Sequence, residues 1–299
     1  AGSFAAGYTG NVTLSDNHTL SELKAINDAT TGSITLNSSA VALSGTSLDV
    51  AAALDGFTNY TGNVTLTDTH NLAQLKSINN ATSGEITLNS YSVDLSGSAS
   101  DVSDALAGTF ASSYTGNVSL NTDHTLSQLK TISNGTSGQI TLNDVTLALS
   151  GSSADLATAL GGTFASAYTG DVATSDAHNL AQLKAINNAT SGTITLNDAS
   201  VSLSGSISDI KAALAGSFAA DYTGNVVITD GNGTAITATD ITTIDGDTTG
   251  TITVSNNINI TGSAAQITSA VAVIDNFSAT PSATLDDAHT LAQLKAINN

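Results

Sequence analysis

The sequence predicts an α/β repeat protein: a solenoid of short parallel β-strands and short helices, about 54 residues per superrepeat, built as two unequal coils. Three observations predict it. A segment beginning TGNVTLSDNHTLSELKAIN at Thr9 recurs down the chain. Tyr8, Tyr60, Tyr114, Tyr168 and Tyr222 mark its copies, spaced 52, 54, 54 and 54 residues apart. Within each copy, triplets with apolar residues two apart alternate with stretches at helical spacing. A fixed period marks units that cannot bury an apolar face alone and stack on neighbours to do so. The array is expected to run 1–299 as one solenoid, in repeats 8–59, 60–113, 114–167, 168–221 and a divergent 222–279, with a half repeat at 280–299.

The short half opens with Val12-Thr13-Leu14, a strand with one buried face. A polar turn leads to Thr19 and Glu22, a capping box in which each side chain satisfies a free backbone N–H at the helix start. The box recurs at Asn71/Gln74, Thr125/Gln128, Asn179/Gln182 and Thr290/Gln293. Leu20, Leu23 and Ile26 form the apolar stripe of a helix of about two to three turns. Lys24 is placed toward its C-terminal end, where the macrodipole favours a cation.

The long half carries Ile34-Thr35-Leu36, a small polar corner at Asn37, then Val41-Ala42-Leu43 and Ser44-Gly45. A second helix follows, with capping boxes at Thr46/Asp49, Ser98/Asp101, Ser152/Asp155 and Ser206/Asp209. Gly56, Gly108, Gly162 and Gly216 stand where a helix end favours left-handed backbone. Phe57, Phe110, Phe164 and Phe218 come next and are expected to pack under the following loop. Thr13, Thr35, Thr65 and Thr87 form a ladder of hydroxyls on the outer strand face. Asn37, Asn89, Asn143 and Asn197 form a stacked amide ladder at the corner.

Glycines before the triplets, from Gly10 and Gly32 to Gly192 and Gly224, alternate in spacing between 22 and 30 to 32 residues. Parallel strands stack at about 4.8 Å and helices at about 8–10 Å. Placing the short and long halves' helices in two rows removes that mismatch and predicts a fairly straight rod, on the order of 50–55 Å long. The alternative pairs Ile34–Leu36 with Val41–Leu43 as a hairpin and gives a curved array. In the fifth copy the glycine interval is 26 residues, Gly224 to Gly250. Thr237/Asp240 replace the box, Ile241 and Ile244 keep the stripe, and Val271, Ile274 and Phe277 close the copy.

Composition excludes several functions. The net charge is −19, from 25 acids and 6 lysines, with no arginine. Such a chain cannot neutralise phosphates, which excludes nucleic acid and disfavours anionic lipid. No apolar run approaches the ~20 residues that span a bilayer. Cysteine, methionine and tryptophan are absent, so disulfides and thiolate chemistry are excluded. A hydrophobic content of 40% is enough for a packed core. The acidic, Thr/Ser/Asn-rich composition fits an extracellular or cell-surface location. AGSFAAGY at the start matches AGSFAADY at 215–222, so the chain reads as a segment that starts inside one repeat and stops inside another.

No catalytic, cofactor or metal residues are assigned. His18, His70, His124, His178 and His289 share one position before the first helix, with Asp16, Asp68, Asp176 and Asp287 two residues earlier and Asp123 adjacent to His124. Two readings stand: a weak Asp/His site per copy, or a turn residue bonding locally. Histidines about 10 Å apart cannot share a metal whose bonds are about 2.0–2.1 Å. The lysine row reads as a solvated face. Calcium is the cofactor this chain could take, in Asp230-Gly-Asn-Gly or in Asp245-Gly246-Asp247, which begins like an EF-hand loop but has Asn256 where the bidentate Glu belongs. Asn-x-Ser/Thr at Asn11, Asn63, Asn117 and Asn188 matches the glycan acceptor pattern.

The run from Val12 to Leu36 and the unit Leu95-Ser-Gly-Ser-x-x-Asp101-Val102 resemble tandem repeats of very large secreted or cell-surface bacterial proteins, notably of marine cyanobacteria. The resemblance covers essentially the whole chain and implies an adhesin-like or cell-envelope component. Such proteins often carry C-terminal calcium repeats, which this sequence lacks. The expected function is thus a structural or adhesive extracellular repeat protein, forming a rod or filament, and not an enzyme. Its partners are further repeats or copies of itself, end to end. The alternative is a carbohydrate-binding surface module, and a pectin-degrading solenoid enzyme is disfavoured because it needs carboxylates clustered at one unique place.

Overall fold

The structure is a computed structural model describing residues 7–298; residues 1–6, which hold most of the AGSFAAGY segment, and Asn299 lie outside the described residues. The described residues form two compact units. One runs to Asp144 and includes Gly162–Ser166; the other comprises Val145–Gly161 and the chain from Ala167. Both are α/β, with helices and short parallel strands alternating in a repeated pattern, compatible with a solenoid.

The first unit holds helices α1 (Leu20–Ala29), α2 (Ser47–Leu54), α3 (Leu72–Ala81), α4 (Ala99–Leu106) and α5 (Leu126–Gly135). The second holds α6 (Ser153–Ala159), α7 (Leu180–Ala189), α8 (Ile207–Leu214), α9 (Ala238–Asp247), α10 (Ala264–Val273) and α11 (Leu291–Asn298). The short-half capping boxes form. Thr19 Oγ1 accepts the Glu22 N–H and the Glu22 carboxylate accepts the Thr19 N–H, and the same exchange occurs at Asn71, Thr125, Asn179 and Thr290. At Thr46, Ser98, Ser152 and Ser206 the hydroxyl accepts the aspartate N–H, but the shorter aspartate side chain does not reach back to the cap N–H, so these are one-way caps and not boxes. α1 reaches Ala29, which places Lys24 in mid-helix rather than at the C-terminal end; α1 has no basic residue in its last turn.

Strands pair across successive coils, and among the described residues all the pairings are parallel. Leu43–Gly45, Val64–Leu66 and Ile86–Thr87 make one three-stranded sheet; Leu95–Gly97, Val118–Leu120, Gln139–Thr141 and Thr163–Phe164 make the next. The second unit repeats the scheme from Leu149–Gly151 and again from Leu203–Gly205. The sequence expectation needs one correction here: the second strand of the long half is Leu43–Gly45, two residues later than Val41–Leu43. The alternative hairpin does not form, because Ile34–Thr35 pairs with Val12–Thr13 in another sheet.

The ten or so extra residues of the long half are therefore a crossing, by which the chain leaves one short sheet and starts the next. Helices pack on their sequence neighbours, α1 on α2, α2 on α3 and α3 on α4. The expected two rows, with α1 on α3, are replaced by this succession. Restarting the sheet every second coil accommodates the spacing mismatch between helices and strands.

Inside, the register builds apolar ladders: Leu43–Val64–Ile86, with Phe110 bridged to Ile86, and Leu95–Val118–Ile140–Phe164. Leu149–Val172–Ile194, with Phe218 bridged to Ile194, repeats the order. The Leu, Val and Ile members are buried, and each contributes about 1.5–3 kcal/mol relative to exposure. On the outer face Ser44, Thr65 and Thr87 stand in register, as the predicted hydroxyl ladder requires. Phe277, expected to close the fifth copy, is 40% exposed.

Gly84 shows what the close approach of coils demands. A Cβ there would lie 2.3 Å from the Gly62 carbonyl oxygen, so no side chain fits. Of the four helix-end glycines only Gly56 has the expected positive φ, at 77°. Gly108 and Gly216 are required for space instead: a Cβ would stand 1.9 and 2.0 Å from the Asn79 and Asn187 side-chain oxygens. At Gly162 it would meet Ile140 and Ser133 at 2.8 Å.

Candidate functional site

The recurring polar residues of each copy gather along the joins between coils. His70 precedes α3, and its Nε2 lies 3.1 Å from the Tyr114 hydroxyl, whose own distance to the Val93 carbonyl oxygen is 2.6 Å. A carbonyl only accepts, so the phenol proton goes to Val93 and the imidazole must donate from Nε2. The same relay joins His18 to Tyr60 at 3.1 Å, with Tyr60 donating to Val41, and His178 to Tyr222 at 3.0 Å, with Tyr222 donating to Val201. Each relay ties three successive coils.

In this tautomer Nδ1 carries a lone pair. The Nδ1 atoms of His18, His70 and His178 are buried with no hydrogen-bond partner. Burial pushes all three imidazoles below their ordinary value, opposed by Glu22 at His18, by Asp68 at His70 and by Asp198 and Asp176 at His178. Burial likewise raises Tyr60 to about 12, and Tyr114 and Tyr222 further. The row is thus neutral and joined to tyrosine. Phe57, Phe110 and Phe218 pack on these tyrosines at 6.5, 6.1 and 6.3 Å between ring centroids.

The aspartates before the histidines do not form a joint Asp/His metal or catalytic set. Asp68 Oδ1 accepts the Ser47 N–H at 2.6 Å, at the first turn of α2. Asp176 does the same for Ser153 at 2.7 Å and Asp287 for Ala264 at 2.8 Å. These carboxylates cap the long-half helix of the preceding coil, where free N–H groups and the macrodipole both favour an anion. Bonds from the Ser153 N–H and hydroxyl hold Asp176 below the usual carboxylate range. Where the aspartate has slipped to Asp123, Thr122 Oγ1 caps Ala99 at 3.0 Å.

The calcium candidates resolve similarly. Asp230 Oδ2 caps Ile207 at 2.7 Å, and Asn232 Oδ1 accepts the Asn257 N–H at 3.0 Å. Asp245, Gly246 and Asp247 lie in α9, so the segment that begins like an EF-hand loop is helical. Among the described residues no group of three or more His, Asp or Glu side chains has a metal-holding arrangement.

Asn37, Asn89 and Asn143 do not stack on one another. Each reaches back to the turn of the preceding short half, Asn37 to Asn17, Asn89 to the Thr67 carbonyl and Asn143 to Asp123. Asn11, Asn63 and Asn117, read as glycan acceptors, use their side-chain oxygens on the N–H groups of Ser33, Glu85 and Gln139 in the next coil.

Lys76, Lys184 and Lys211 pair between helices, and Lys24 pairs within α1. Lys76 on α3 bonds Asp101 on α4, Lys184 on α7 bonds Asp209 on α8, and Lys211 bonds Asp240 on α9; Lys24 takes Asp28 at 2.7 Å. Beside each of the first two pairs lies an open groove. One is lined by Leu72, Lys76, Asn80, Asp94, Ser96 and Asp101, and its equivalent by Leu180, Lys184, Asn188, Ser204 and Asp209.

Sequence reasoning missed a buried threonine. Thr82 Oγ1 donates to the Gly62 carbonyl at 2.9 Å and accepts the Gly84 N–H at 3.0 Å. Thr30, Thr136, Thr190 and Thr248 do the same for their coils. The signal was present as Thr-x-Gly in every copy. Asn27, Asn79 and Asn187 were also missed; their amides donate to the last carbonyls of the following helix.

No protein-family model, curated protein or solved structure matches the chain.

Proposed function

We propose that this chain is structural or adhesive repeat material of the cell surface or extracellular space, assembling end to end into a rod or filament as one continuous solenoid, without catalysis and without a cofactor. One observation carries the reading. The polar rows that could have formed a repeated site, His, Asp, Asn, Thr and much of the lysine row, are engaged in bonds between coils. The recurrence of such groups from copy to copy then serves coil-to-coil cohesion. The resemblance to adhesin-like repeats and the acidic composition support the location. No described helix is long and apolar enough to cross a membrane.

Negative-stain microscopy of the purified protein at high concentration tests this. Filaments or end-joined rods are expected; uniform isolated particles would refute it. A second reading rests on the open grooves beside Lys76 and Lys184, whose amides, hydroxyls and carboxylates suit hydroxyl-rich sugars. A glycan array separates the two: consistent sugar hits, lost in Asn80→Ala, favour a carbohydrate-binding module.

A further inference from the structure

The helix α11 repeats α7 residue for residue, from Leu291-Ala-Gln-Leu to Lys295-Ala-Ile-Asn298 against Leu180 to Asn187. Their surroundings differ. In α7, Leu183 and Ile186 are fully buried; in α11 no residue is buried, and Leu291 is 84% exposed.

α8 packs on α7, and Leu203–Gly205 runs beside it. Four specific contacts fix the fit. Gly205 leaves room for Leu180, whose Cδ2 a Cβ would approach to 2.4 Å. Lys184 pairs with Asp209 near the start of α8. The Asn187 amide donates to the Ala212 carbonyl near its end at 2.7 Å. His178 meets Tyr222 of the coil beyond. The join of α3 to α4 repeats all four, through Leu72 and Gly97, Lys76 and Asp101, Asn79 and Asp104, and His70 and Tyr114.

On α11 and just before it, the matching residues are Leu291, Lys295, Asn298 and His289, all exposed. The divergent fifth copy supplies an independent sign. Its short half has no histidine, and no tyrosine stands near 276–281 to receive one. Histidine and the following tyrosine are lost together there, yet His289 is present on the next copy.

Resting on the reading of this chain as stacking material, we infer that the face of α11 receives one more long coil of this repeat, running in the same direction. That coil brings Leu-Ser-Gly against Leu291, an aspartate at the third helical position to Lys295, helix-end carbonyls to Asn298 and a tyrosine to His289. A short coil does not fit there: by the register of Gly45 with Leu66, a short coil carries leucine where the long coil has glycine, and that leucine would meet Leu291. The join is thus phased, and it needs a long coil.

The test extends the full chain after Asn299 with a second copy of 189–222, a long coil ending in tyrosine. The comparison extension is a copy of the short coil 168–188. Hydrogen exchange of the α11 amides is the readout. The long extension is expected to slow exchange in α11 at least tenfold, to give His289 a slowly exchanging ring N–H, and to lose most of both when Asp209→Lys and Tyr222→Phe are made within the added copy. Equal protection by the two extensions, or none from the long one, overturns the inference. Protection with no filaments by microscopy would sink the proposed function and leave the phasing intact; filaments without protection would do the reverse.

Discussion

Replacing Tyr114 with phenylalanine removes one oxygen that serves two groups, the buried His70 imidazole and the part-buried Val93 carbonyl. The phenol is buried, donates to the Val93 carbonyl at 2.6 Å and receives His70 Nε2–H at 3.1 Å. Phenylalanine keeps the ring against Phe110 and fills the same apolar space. The loss is then almost wholly one of hydrogen bonding. Leaving a buried donor or acceptor without a partner costs about 1–3 kcal/mol each, so Tyr114→Phe should destabilise its coils by roughly 2–6 kcal/mol. Tyr91→Phe is the control: that hydroxyl accepts only the Leu88 N–H, at 3.1 Å, and stands half-exposed, so about 0.5–1 kcal/mol is expected. Urea unfolding followed by far-UV circular dichroism gives both numbers. Hydrogen exchange localises the effect, because stability in a repeat array is set by neighbouring interfaces. The weakening should centre on the coils of His70, Val93 and Tyr114. A loss below about 0.5 kcal/mol would mean that the relay contributes no cohesion, and the argument from occupied polar rows would fall with it.

Further outcomes follow from the same geometry. His18, His70 and His178 are held below their ordinary value of 6.5 by burial, so the unfolded chain binds protons first as pH falls. Their stabilisation is complete above pH 6.5 and is lost as pH drops from there through the lowered folded values, at up to about 1.4 kcal/mol per pH unit for each histidine; urea midpoints that stay flat or rise between pH 7 and pH 5 would contradict this. Thr82→Val removes the bonds to Gly62 and Gly84 at constant shape and should cost about 1–3 kcal/mol, whereas Thr82→Ser should retain most of the stability in the same urea assay. Gly108→Ala and Gly216→Ala force a methyl onto the Asn79 and Asn187 amides and should lower stability by about 1–3 kcal/mol, with faster exchange at the α4 and α8 C-termini; Gly56→Ala, where only the backbone conformation resists, should cost about 1 kcal/mol. Chelation with EDTA should leave the melting temperature unchanged, because Asp230 caps α8 and Asp245–Asp247 are helical.

Much of the fold was legible because its signals are local. The short-half capping boxes, the helical stripe of Leu20, Leu23 and Ile26, and the strands at Val64 and Ile86 each act within a few residues and formed where the sequence placed them, whereas the long half's Val41–Leu43 gave way to a strand at Leu43–Gly45. What stayed hidden depends on pairing between coils. The spacing of the glycines showed that two kinds of coil alternate, but the choice between two helix rows and a succession of short sheets depends on which strand finds which. The residues Leu43-Ser44-Gly45 look like the end of a strand and a turn until Val64 is seen beside Leu43. Gly108 and Gly216 were legible as necessary and illegible as to why, because the Asn79 and Asn187 amides that exclude a side chain there come from the preceding helix.

The aspartates show the same limit with a functional consequence. Read along the chain, Asp68 and His70 are two residues apart and invite a joint chemistry. In space they face different neighbours: Asp68 turns back to the start of α2, and His70 reaches forward to Tyr114. A spacing that suggests one site is the trace of two separate joins, one to the coil before and one to the coil after. The fifth copy makes this separable. There Asp230 still caps Ile207, while the histidine and its tyrosine are both gone. The cap persists without the relay, so the two residues answer to different partners, and the pattern that resembled a repeated binding site is what a polymer of coils writes into its sequence when each unit must hold both neighbours.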